Sequence, residues 1–98
     1  MSASEAVDLS RPCAHVTPEM PRHVHRPPAG CEECLATGGT WVQLRICLTC
    51  GHVGCCDNSP NRHATAHHRA TKHPVITSGE AGDTWAYCYA DDESLSAR

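Results

Sequence analysis

Two Cys-x-x-Cys turns, Cys31 with Cys34 and Cys47 with Cys50, stand close together in this chain. A turn of this kind lets two thiolates reach one metal ion from a single tight loop. Around the pair lie Cys13-x-His15, Cys55 beside Cys56, then His63, His67 and His73, and finally Cys88. These are sulfur and imidazole donors, the set zinc takes up in closed, four-coordinate structural sites. His63 and His67 are four apart and share one face of any helix that carries them. Thiolates alone would saturate two sites and leave histidine without a role. Mixing Cys with His fills three. His68 falls outside the pattern and is expected at the surface. The competing use of eight cysteines is a disulfide framework.

Composition favours metal over disulfides. Leu, Ile and Val make only 13 of the 98 residues, Phe is absent, and the aromatics are two Trp and two Tyr. A single small domain this poor in large apolar groups cannot stand on its core alone and needs staples. Its formal charge of −3 lacks the large value that accompanies disorder. The N-terminus is acidic and polar, without the apolar stretch of a secretory signal, and no run approaches the roughly 18 apolar residues of a membrane span. A cytoplasmic, reducing setting is therefore expected, where metal sites outnumber disulfides. The pI of about 6.2 argues against phosphate-backbone binding as the main task.

The elements that must position these ligands are short. Residues 1–10 read as a disordered leader, and residues 18–30, with four of the seven prolines, as a loop. Residues 40–47 alternate as a strand would. Gly51 and Gly54 mark a turn. A helix is expected over about 60–72, with Asn58 or Ser59 as cap, Pro60 in its first turn and Pro74 as its stop. Residues 74–78 and 84–89 read as strands joined by a turn at 79–82, and residues 94–98 as a disordered tail. The expected fold is a small zinc-stabilised α+β domain over 11–93, a twisted antiparallel sheet with one main helix.

As an ordered set, Cys13-x-His15, Cys31-x-x-Cys34, Trp41, Cys47-x-x-Cys50-Gly, Cys55, His63, His67, His73-Pro74 and Tyr87-Cys88-Tyr89 resemble the UBP-type zinc finger. The stretch 55–67 resembles the short stand-alone bacterial members. The resemblance implies an interleaved arrangement. One zinc takes Cys31, Cys34, Cys55 and His63, and a second takes Cys47, Cys50, His67 and His73. Three-zinc relatives complete a further site with a final Cys-x-x-Cys. This chain has Cys88 followed by Asp91, so the third site becomes Cys13, His15, Cys88 and Asp91. Three zinc ions are expected, or two if that last site is empty. Cys56 is then the spare thiol. In the family the finger captures a free C-terminal Gly-Gly tail of ubiquitin. Trp41 and Tyr89 match two of the tail-binding positions. The position of the family's tail-binding Arg holds Asp57, which removes a charge-assisted fork and speaks against ubiquitin itself. Arg45 and Arg62 are the cations considered as its replacement.

Each expected site has four protein ligands and no open position for a catalytic water. The deaminase signature, GxSxG, P-loop and GxGxxG are all absent. The expected function is a non-enzymatic zinc-binding protein-interaction module, a monomer that recognises a C-terminal or Gly-rich peptide tail. Its alternatives are a nucleic-acid-binding finger using Arg62, Arg69 and Lys72, a purely structural zinc protein, and a zinc-dependent hydrolase.

Overall fold

The computed structural model of the chain describes residues 3–96. Its elements run β1 (Ala3–Ala6), β2 (His23–Arg26), α1 (Glu32–Thr37), β3 (Leu44–Cys47), β4 (Val53–Cys55), α2 (His63–Thr71), β5 (Val75–Ser78), β6 (Ala86–Cys88) and β7 (Glu93–Ser94). Five strands form one antiparallel sheet in the order β4-β3-β5-β6-β7, and β1 pairs with β2 in a second. α2 packs on β4 and β3, and α1 on β4. The chain is thus a small α+β domain with an antiparallel sheet and one main helix.

The apolar interior is divided. Val7, Met20, Leu48, Val75, Ala86, Cys88 and Leu95 form one cluster, and Cys31, Cys34, Leu44 and Cys55 the other. Cysteines are core residues in both, so sulfur stands where larger domains place Leu or Phe. β5 is buried along its whole length, which its sequence Val-Ile-Thr-Ser allows because Thr77 and Ser78 hydroxyls find partners.

Both ends of the chain depart from the sequence expectation. The leader supplies β1, which pairs with β2 inside the stretch read as loop, and Val7 is buried. Arg26 holds this hairpin down. The residue is 2% exposed, and its side chain donates to the Ser78 carbonyl at 2.7 Å, the Ala6 carbonyl at 2.9 Å and the Thr77 hydroxyl at 2.8 Å. The tail supplies β7 and the buried Leu95 and Ser96. The folded unit therefore extends beyond 11–93 in both directions. Residues 1–2 and 97–98 of the expected leader and tail lie outside the described residues.

The main helix is shorter than 60–72, and neither Asn58 nor Ser59 caps it. Arg62 holds the cap position in the left-handed region, φ 48°. The His63 N–H donates to the Cys55 sulfur at 3.2 Å. That sulfur occupies the place a capping hydroxyl would take. Ser59 is buried, and its hydroxyl accepts the Val42 N–H at 2.9 Å. The helix meets β4 so closely that a Cβ at Gly54 would lie 2.6 Å from the Ala64 nitrogen, an approach only glycine permits. A second helix, α1, grows from the first Cys-x-x-Cys turn and ends at Gly38 in the left-handed region, φ 77°. Its six residues are too few to show a period in the sequence.

Candidate metal centre

Three groups of four donors assemble in the fold: Cys31, Cys34, Cys55 and His63; Cys47, Cys50, His67 and His73; and Cys13, His15, Cys88 and Asp91. Within each, the ligand atoms lie within 4.8 Å of one another. In the first group the sulfurs of Cys31, Cys34 and Cys55 approach the His63 Nδ1 at 3.2, 3.4 and 3.6 Å. One ring nitrogen has one lone pair and cannot accept from three thiols at once. A tetrahedral zinc at ordinary bond lengths sets sulfur–nitrogen pairs about 3.6 Å apart. The spacing and the donor types therefore fit a four-coordinate soft cation. Without a counter-charge, burial first and the neighbouring thiols next push Cys31 up to about 12. A buried cation removes that penalty.

The second group follows the same rule, with Cys47 Sγ at 3.5 Å from His73 Nδ1 and Cys50 Sγ at 3.4 Å from His67 Nε2. It joins the turn after β3 to the end of α2. The third ties the first loop to β6. His15 Nδ1 lies 3.7 Å from Cys13 Sγ, 3.6 Å from Cys88 Sγ and 3.2 Å from Asp91 Oδ2. Its Asp91 is exposed, whereas the first group's three cysteines are fully buried.

A polar bridge links the first two groups. Glu33, on the first Cys-x-x-Cys turn, contacts His52 Nε2 with both carboxylate oxygens at 2.7 and 2.9 Å. The His52 ring stacks on His67 with centroids 4.0 Å apart. Burial opposes ionisation of Glu33, yet hydrogen bonding from His52 holds its carboxyl below the ordinary range. Neither residue carried a spacing signal in the sequence, because their meeting depends on how two loops cross.

Beside the helix opens a cavity of about 420 Å³. Arg45 of β3, Trp85 and Tyr87 of the β5–β6 region, and Tyr89 form its walls with Cys56, Asp57 and Thr65. The Arg45 guanidinium sits 4.7 Å over the Trp85 ring. Tyr87 donates to Asp92, and Tyr89 stacks on His68 with centroids 4.5 Å apart. His68 is thus half-buried and not a free surface residue. It also donates from Nδ1 to the His73 carbonyl at 2.8 Å. The Thr65 hydroxyl donates to Asp57 at 2.6 Å and lies 3.3 Å from the Tyr89 hydroxyl.

The zf-UBP family model, described as the Zn-finger in ubiquitin-hydrolases and other protein, matches residues 31–98. The chain belongs to the UBP-type zinc finger family. A protein of Rhodopseudomonas palustris, solved by NMR in solution, is similar at 50% identity and TM-score 0.72 over 84% of this chain and 78% of its own. Together with the Cys/His groups, membership makes the chain a zinc-binding module.

In this UBP-type finger the aromatic over the cavity is Trp85, and Trp41 stands elsewhere. Trp41 packs on the first cysteine group, where a Cβ at Gly30 would lie 2.6 Å from its ring. Trp41, expected at a tail-binding position, does not line this cavity. Tyr89 and Asp57 do line the cavity. The signal for the missing wall was present: Trp85, Tyr87 and Tyr89 alternate, so one face of a strand carries all three. Arg45 places a cation beside them, while Arg62, the residue before α2, does not line this cavity. Cys56 belongs to none of the three groups. It is buried against the cavity. Burial opposes its thiolate, but hydrogen bonding from Ser59 and the adjacent backbone, with Arg45 nearby, brings the thiol below its ordinary value. Among the described residues, no helix is long and apolar enough to cross a membrane.

Proposed function

We propose that this finger is a non-catalytic protein-interaction module. Three zinc ions, held by the three groups of four, cross-link its loops, and the Arg45–Trp85 cavity takes the C-terminal carboxylate of a peptide. Zinc bound by four protein ligands supplies structure and leaves no exchange position for a reacting water. The observation that carries the reading is the Arg45 guanidinium stacked 4.7 Å over Trp85 on the wall of the cavity. Stacking holds the fork in one orientation; one terminal nitrogen donates to the Leu44 carbonyl at 3.0 Å and the other to Gln43 Oε1 at 3.4 Å, and a carboxylate would take up the guanidinium's remaining N–H groups. Tyr89 adds a hydroxyl, Tyr87 adds its ring because its proton already goes to Asp92, and the ring of Trp85 offers a flat face to a chain of small residues. The volume of about 420 Å³ lies in the range of ligand pockets, roughly 300 to 1,000 Å³. Arg45 supplies the positive charge that Asp57 does not.

Calorimetry with a Gly-Gly-ending peptide, bearing a free or an amidated C-terminus, tests the reading. Binding of the free acid, loss on amidation and loss in Arg45→Ala or Trp85→Ala support it. Equal affinity for acid and amide, or no binding of either by a fully metallated protein, rejects it.

A further inference from the structure

A second depression, of about 230 Å³, opens beside the first, and Asp57 and Thr65 line both. Its other walls are Asn61, Arg62, Ala66 and Arg69. Arg62 and Arg69 are exposed, and among the described residues their side chains make no hydrogen bond or ion pair. The one carboxylate in the groove, Asp57, is already engaged by the Thr65 hydroxyl at 2.6 Å. Two open guanidinium groups therefore face a groove that continues the carboxylate cavity along α2. Thr65 and Arg69 are one helical turn apart, about 6 Å, which an extended peptide covers in two residues.

Resting on the carboxylate-pocket reading, we propose that the groove formed by Arg62 and Arg69 selects C-terminal tails carrying an Asp or Glu at the third or fourth position from the end. A Gly-Gly terminus fills the first cavity. The next residues cross the Thr65 rim and lay an acidic side chain between the two arginines. A basic side chain at the same place meets like charge. The ubiquitin-type ending Leu-Arg-Gly-Gly is accordingly the disfavoured member of the pair. Two partly exposed ion pairs amount to a preference of roughly three- to tenfold, weakened by salt.

The test compares Leu-Asp-Gly-Gly with Leu-Arg-Gly-Gly, both with free carboxylates, by calorimetry on the zinc-loaded full chain. The expected result is a three- to tenfold preference for the acidic tail, abolished in Arg62→Ala/Arg69→Ala and reversed in Arg69→Glu. Arg69→Glu alters only an exposed helix position, so it keeps the test decisive if the double variant fails to fold. Unchanged zinc content checks the fold. Equal affinity for the two tails, each lost on amidation, overturns the selection by Arg62 and Arg69 and leaves the carboxylate pocket standing. No carboxylate-dependent binding of either tail overturns both. Tight, salt-sensitive binding of an oligothymidine that is lost in the double variant also overturns it, by assigning the arginines to nucleic acid.

Discussion

His63 and His67 stand one turn apart on α2, yet each reaches a different group of cysteines. A single nine-residue helix is thereby joined to the first Cys-x-x-Cys turn, to the second, and to the end of β4. The helix has little apolar surface to hold it, with Ala64 its one buried residue among those described.

Folding should therefore depend on metal. Zinc binding to a structural site contributes on the order of 10 kcal/mol. Chelation at neutral pH should collapse the NMR dispersion and near-UV circular dichroism, and re-addition of zinc should restore them. Acid should act in the same direction, since ligand thiolates and imidazoles release the metal as they take up protons. A cooperative fold that survives verified zinc removal contradicts this.

The third group predicts the stoichiometry. Native mass spectrometry should count three zinc ions in the wild type and two in Asp91→Ala, because the exposed Asp91 is the oxygen donor of that group. Two ions in the wild type, with Cys13 and Cys88 both reacting freely with a thiol reagent, would eliminate the third site.

Neighbouring cysteines should behave oppositely. Cys55→Ser should lose one zinc and unfold the domain, since Cys55 is both in the first group and hydrogen-bonded by the His63 N–H. Cys56→Ser should keep the zinc count. Equal losses would show that the two roles were exchanged.

Arg26→Leu should destabilise the zinc-loaded protein by about 3 kcal/mol or more, because the buried acceptors on Ser78 and Thr77, and the Ala6 carbonyl beside them, lose their donor. Hydrogen exchange should show the loss first at the β1 amides. An unchanged exchange rate there would separate Arg26 from the docking of the hairpin.

The two tryptophans should also divide their effects. Trp85→Ala should abolish binding of a free C-terminal peptide with zinc content intact. Trp41→Ala should loosen the first metal group and leave the peptide affinity of the folded fraction unchanged. Asp57→Arg should strengthen binding of the terminal carboxylate tenfold or more, since like charges about 4 Å apart cost roughly 1 to 4 kcal/mol. Calorimetry on the three variants distinguishes these outcomes, and weaker binding in a correctly folded Asp57→Arg would count against the pocket.

Much of this was legible in local patterns. Hydrophobic and turn signals located β3, α2, β5 and β6 to within a few residues. β1 and β7 were not visible, because a strand of Ala, Ser and Glu, or of Glu and Ser, has no alternation of its own. They form because Arg26 and the buried Val7 and Leu95 anchor them from outside the strands. The start of α2 departs from its expected place for a similar reason: the usual capping residues are present, but a cysteine sulfur eight residues upstream takes the N–H.

By itself the sequence determined the donor chemistry. Cys and His at fixed short spacings name a soft, four-coordinate metal whatever the fold, because the ligand atoms of one turn can reach one ion before any tertiary contact exists. It also determined the need for metal, through the shortage of Leu, Ile, Val and Phe. The tertiary structure decided which aromatic faces the cavity. Trp41 and Trp85 carry the same side chain, and only strand register and helix docking send one to the first cysteine group and the other beneath Arg45. Charge placement was decided there as well. Arg45 is 12 residues before Asp57, yet antiparallel pairing brings β3 and the end of β4 together, so both line one wall. Such proximity depends on hydrogen bonds across strands, and no spacing along the chain encodes it.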